Sequence, residues 1–167
     1  MQRTFKRLDA THEKLIATVA PLPSQLFSQR PSETEWSVSE ILHHLRLVED
    51  RVIEALEKEL AGSPQRLGVL RRLVPTAIVG SRLIKVKAPR SVTPLEAPEK
   101  EKCLAEYNET RSQLRSLCAT HGRERLKLTV FKHPFLGPIS GVAAVSFIGY
   151  HEQRHLKQIN EVLRQLR

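Results

Sequence analysis

The sequence predicts an all-α protein, a four-helix bundle with a long basic connection between its second and third helices. Four segments of roughly 16 to 29 residues carry apolar residues at helical spacing. No convincing strand pattern interrupts them, and proline and glycine punctuate their ends. A chain of 167 residues fits one domain spanning 1–167, with a single core of adequate size.

The first helix is expected from about Thr4 to Val19, with Phe5, Leu8, Leu15, Ile16 and Val19 on one face, stopping at Pro21 and Pro23. A polar loop follows to about Trp36. Ser37-Val-Ser-Glu40 has the form of a capping box, and Trp36 with Ile41 has the spacing of a hydrophobic staple. The second helix then runs through Val38, Ile41, Leu42, Leu45, Val48, Val52 and Leu56 to Ala61-Gly62. Between Ser63 and Pro98, the stretches 67–73 and 76–86 suggest short helices split at Pro75, and Pro89, Pro94 and Pro98 mark an extended link. The third helix is expected from Pro98, as a first helical position, to about Ala119, with His121-Gly122 as its exit. A connector containing HPFLGP leads to the fourth helix, from about Pro138 to Leu166.

Composition sets the class. Hydrophobic residues are 40% and charged residues 27%, which suits a soluble globular chain. No apolar run reaches the roughly 18 residues of a membrane span. The start, MQRTFKRLDATHEK, lacks the apolar stretch of a secretory signal, so a cytoplasmic protein is expected. Cys103 and Cys118 fall in one helix about 22 Å apart by rise per residue, too far for a disulfide, and read as reduced packing residues.

The net charge of +9 is unevenly spread. Between Glu59 and Glu96 there is no acid, but seven bases occur: Arg66, Arg71, Arg72, Arg82, Lys85, Lys87 and Arg90. They form either a solvated basic segment or a patch for an anionic partner. The segment has no aromatic residue on which bases could stack, which argues against single-stranded nucleic acid.

The chemistry lies in the histidines. On the fourth helix an inward stripe steps through Ile148, His151, His155, Ile159, Val162 and Leu166. Rings one turn apart can converge on one ion, and two buried imidazoles without a partner are costly. A hydrogen-bonded pair of core histidines is the alternative, and a metal site needs a third ligand. On the second helix His44 lies on the edge shared by Ile41 and Val48, whereas His43 lies nearly opposite the apolar face. His12 reads as solvated, His121 as a cation at a helix exit, and His133 as a loop anchor or a residue reaching the site.

WSVSEILHHLRLVED resembles the second-helix signature of the DinB/YfiT-like superfamily, a Trp-Ser start leading to His-Leu and an acid. HPFLGPIS followed by FIGYHEQRHLKQI resembles that family's C-terminal half, a His-Pro-x-x-Gly turn leading into H-x-x-x-H and Gln-Ile. The order and separation match over most of the chain. The resemblance implies a four-helix bundle of the DinB/YfiT-like type holding a divalent metal, commonly nickel or zinc, by three histidines. Matched residue by residue, these are His44, His151 and His155. It further implies a homodimer, a small-molecule substrate and, in some relatives, thiol S-transfer with a low-molecular-weight thiol. The basic 63–98 segment departs from the family pattern.

HEQRH also has the H-E-x-x-H form of a zinc protease helix. That reading needs a downstream ligand, but no histidine follows His155, and Glu161 lies on the same helix. The preferred expectation is a metal-dependent hydrolase or thiol S-transferase, with Tyr150 or His133 positioning a cosubstrate and Gln158 supporting His155. The rival expectation is a non-catalytic protein whose basic 63–98 segment recruits an anionic partner.

Overall fold

The fold is built around the helix that Ser37 caps. The computed structural model describes residues 2–65, 67–68 and 89–167. Their elements are α1 (Gln2–Val19), α2 (Ser24–Ser28), α3 (Val38–Leu60), a 3-10 turn (Arg90–Val92), α4 (Lys100–Lys127), β1 (Val130–His133), β2 (Gly137–Ser140) and α5 (Gly141–Gln165). α3 packs against α4 and α5, and α1 packs against α5, so the four long helices form the bundle. The short helices expected at 67–73 and 76–86 lie, apart from residues 67 and 68, outside the described residues. So do all the bases of the connection except Arg90, which is exposed.

The capping box at α3 is complete. The Glu40 backbone N–H donates to Ser37 Oγ at 3.2 Å, and the Ser37 N–H donates to Glu40 Oε2 at 2.9 Å. Arg30 Nε adds a 2.8 Å bond to the same buried carboxylate. Burial pushes the Glu40 carboxyl up, but the Arg30 and Ser37 donors outweigh it and hold the group below its ordinary value. Ser37→Ala is expected to lower stability by about 1 kcal/mol, read from the urea midpoint. Because the folded Glu40 pKa is lowered, this corner's contribution is present above the glutamate range and is lost as pH falls through it.

Several boundaries differ from expectation. The loop after α1 contains the helical turn α2, which buries Phe27. α4 begins at Lys100 rather than at Pro98, whose carbonyl instead accepts from Ser39 Oγ at 2.7 Å. Gly122 is non-helical (φ 71°, ψ 168°), but it is a kink and not the end, since α4 resumes to Lys127.

The main correction is the connector, which is an antiparallel β-hairpin pairing Val130 with Ser140 and His133 with Gly137. Gly137, at φ 68°, closes its three-residue tip in the left-handed region that glycine adopts without strain. The fourth helix therefore starts at Gly141, with Ser140 Oγ as N-cap acceptor, and not at Pro138. A Cβ at Gly141 would stand 2.9 Å from the Leu126 carbonyl oxygen, so only glycine lets α5 start this close to the end of α4.

The core has two apolar halves. One contains Leu8, Val52, Leu56, Leu114, Cys118, Val145 and Ile148. The other contains Leu15, Val19, Phe27, Ile41, Leu45, Tyr107 and Ile159, with Trp36 against it. Trp36 and Ile41 thus share one apolar cluster at the start of α3. On every long helix the residue between the two halves is polar: His12, Glu49, Arg111 and Glu152. Cys103 and Cys118 are buried and free, and burial pushes their thiols up to about 12 and about 11. Among the described residues no helix is long and apolar enough to cross a membrane.

Candidate metal centre

His44 on α3 meets His151 and His155 on α5. Their ring centroids lie 4.5–5.2 Å apart, and one potential ligand nitrogen from each falls within 4.8 Å of the others. His44 and His155 are buried, and His151 is partly exposed. His155 Nε2 and His151 Nε2 are 3.2 Å apart. Two nitrogens on a tetrahedral zinc, each at 2.0–2.1 Å, stand about 3.3 Å from one another. The pair is therefore spaced as two ligands of one ion would be.

Proton placement supports the same direction. His44 Nδ1–H donates to the Val92 carbonyl at 2.6 Å, and His155 Nδ1–H donates to Gln158 Oε1 at 2.8 Å. With each Nδ1 committed as a donor, each Nε2 presents a lone pair. Burial pushes the His44 pKa down, and burial, then the neighbouring His155, His44 and Arg154, push that of His151 well down. The neutral, ligating forms are thus the favoured ones near neutral pH. Removing the Gln158 carbonyl by Gln158→Ala is expected to cost about 10–100-fold in metal affinity without unfolding the chain, measured by chelator competition.

The other candidates sort clearly. His43 is half-buried and outside the group. His121 is exposed at the α4 kink. His133 is a buried loop anchor: its Nδ1 accepts the backbone N–H groups of Phe135 and Leu136 at 3.1 and 3.0 Å. Burial lowers its pKa to about 4. Tyr150, one residue before His151, turns away to α1, where Arg7 donates to its hydroxyl.

Glu152 is not arranged as the general base of a zinc protease. Its carboxylate is buried and accepts from Tyr107 Oη and Arg111 Nη2. Arg111 also grips Glu49 with two bonds, Nε to Oε1 at 2.8 Å and Nη2 to Oε2 at 3.0 Å. His12, read as solvated from sequence, belongs to this layer: it stacks on Tyr107 at 4.7 Å and its Nε2 meets Asn108 Oδ1 at 2.8 Å. Its side chain is only 13% exposed. The layer bridges all four long helices and fixes the turn of α5 between Ile148 and His155.

Residues to which the sequence assigns no place at the triad also shape the centre. The Trp36 ring is 5.0 Å from that of His44, and Phe147 stacks on His151 at 5.3 Å. Phe147 was findable, since it lies four residues before His151 on the same helical face. The Val92 carbonyl was not, because a backbone acceptor carries no residue-type signal.

Similarity searches agree with this architecture. The family model of the DinB superfamily matches residues 7–159. YuaE of Bacillus subtilis (strain 168), an uncharacterized protein, is 28% identical over 142 residues, covering 84% of this chain and 85% of YuaE. The crystal structure of TT2238, a four-helix bundle protein, superposes with a TM-score of 0.64 at 21% identity, covering 96% of this chain and 98% of that one. YfiT from Bacillus subtilis superposes with a TM-score of 0.66 at 16% identity over 99% of this chain and 86% of YfiT. YfiT is described as a probable metal-dependent hydrolase with an unusual four-helix bundle topology. At these identities the superpositions establish the fold.

Proposed function

This chain belongs to the DinB superfamily, and on that premise we propose that it is a metal-dependent hydrolase whose divalent ion, nickel or zinc, is held by His44, His151 and His155. The observation that carries the reading is the convergence of three imidazoles from two helices, two with their Nδ1 protons committed elsewhere. The donor set fits a borderline-soft divalent ion, which three neutral imidazoles suit. A bound ion supplies Lewis acidity, lowering the pKa of a water or thiol in its open position. The protein's own part is to orient the ligands, through the Val92 carbonyl and Gln158, and to leave His151 partly exposed. The description of YfiT as a probable metal-dependent hydrolase supports the reaction class.

The test uses the single tryptophan, Trp36, beside His44. Metal-stripped protein titrated with nickel is expected to bind one ion per chain and to quench Trp36 fluorescence. Restoring zinc or nickel is expected to restore hydrolysis of a 4-nitrophenyl ester without added thiol. Activity only with a low-molecular-weight thiol would move the assignment to S-transfer, and no stoichiometric uptake would remove the metal centre.

A further inference from the structure

Leading away from the ligand triad is a file of rings that ends in solvent. Phe147 stacks on His151 at 5.3 Å, and His133 meets Phe147 edge-on at 4.5 Å. Phe135, at the hairpin tip, follows 6.0 Å from His133. Phe135 is 61% exposed, one of two large exposed hydrophobic residues among those described. The hairpin thus holds an uncovered aromatic ring at one end of a path whose other end is the partly exposed ligand.

Within that file stands one polar ring, His133. Because His133 Nδ1 accepts two backbone N–H bonds from the tip, the ring proton sits on Nε2. The residue is only 7% exposed, and among the described residues Nε2 has no hydrogen-bond partner in the protein. It is a neutral donor on a ring anchored at Nδ1 and set among phenylalanines, with Phe131 as a further neighbour at 6.1 Å. The cation whose field reaches His151, Arg154, is engaged in interactions of its own.

We propose that Phe135, His133 and Phe147 form the substrate wall of the metal centre, with His133 Nε2–H as its specificity donor. The substrate class that fits is an uncharged, largely apolar molecule, aromatic by preference, that presents a single hydrogen-bond acceptor such as an ester or amide carbonyl. This assignment rests on the metal-hydrolase reading above and adds the substrate class to it. Burial of apolar surface along the file supplies affinity, and the one donor selects molecules with an acceptor.

The test uses acetophenone, which has the acceptor, and ethylbenzene, which lacks it, as probes of zinc-loaded full-length protein by ligand-observed NMR. Acetophenone is expected to bind with a Kd on the order of 1 mM. His133→Asn keeps a side-chain oxygen for the two tip N–H groups but removes the Nε2 donor. It is expected to weaken acetophenone by roughly threefold to tenfold and to leave ethylbenzene unchanged. Phe135→Ser is expected to weaken both probes, and neither variant is expected to alter zinc stoichiometry. Zinc binding with no acetophenone binding, or with affinity unchanged in both variants, overturns the wall while leaving the metal centre standing. Loss of dimers in Phe135→Ser with unchanged probe affinity assigns that ring to a contact between copies and also overturns it. If wild type takes up no zinc, the hydrolase reading fails on its own evidence. In that case the same probes on the stripped chain decide the wall, which stands only if His133→Asn weakens acetophenone selectively.

Discussion

Arg111→Met is expected to destabilise the chain by about 3–5 kcal/mol, a large fraction of the roughly 5–15 kcal/mol that holds a domain together. The arginine is 4% exposed and is the cation shared by two buried carboxylates, Glu49 and Glu152. Methionine fills a similar volume, so the loss measures the charge left without a partner rather than a cavity. The pH dependence separates the two explanations. Burial already raises the Glu49 pKa against the opposing pull of Arg111, so removing the guanidinium raises it further. A carboxyl with a raised folded pKa contributes most at low pH, and that contribution is lost as pH rises through the folded value. The deficit of Arg111→Met, followed by urea unfolding, should therefore shrink as the pH is lowered from 7 towards about 4.3. A deficit that does not change with pH would make the layer a matter of packing alone.

That layer also marks the limit of what single-sequence reading reached. The start of α3 was legible because Ser37 and Glu40 are local partners and their types and spacing are the motif. The inward set of His44, rather than His43, was legible because helical periodicity fixes directions within one helix. The buried layer was not. Four of its members, His12, Glu49, Arg111 and Glu152, come one from each long helix, and nothing local in the sequence marks them as buried together until the helices are docked. His12 illustrates this: its sequence neighbours are polar, and what covers it is Tyr107 from α4. The hairpin was missed for another reason. Its strands are four residues each, too short for a period-two pattern to rise above a proline- and glycine-marked turn.

Removing any one imidazole of the triad is expected to abolish stoichiometric metal binding. A residue that only orients a ligand is worth about 10–100-fold in affinity, so loss of a ligand itself should exceed about 100-fold for His44→Ala, His151→Ala and His155→Ala alike. Thermal unfolding gives the sharper discrimination. A metal that binds only the folded chain stabilises it by about 2.7 kcal/mol at a hundred times Kd. That increment should appear in wild type and vanish in each variant. Metal-free, the three rings offer little mutual stabilisation: the 3.2 Å contact of His151 Nε2 with His155 Nε2 is one hydrogen bond between neutral rings, worth about 1 kcal/mol, and burial disfavours a charge that would strengthen it. His151→Ala should therefore leave the stripped protein's stability within about 1 kcal/mol of wild type. With the folded pKa values of His44 and His151 lowered, stripped wild type should lose stability as pH falls below the ordinary histidine value of about 6.5, and the alanine variants less so. A pair of core histidines whose hydrogen bond serves structure alone predicts the reverse pattern, with His151→Ala costing more than about 1 kcal/mol in the stripped protein and metal without effect on wild type.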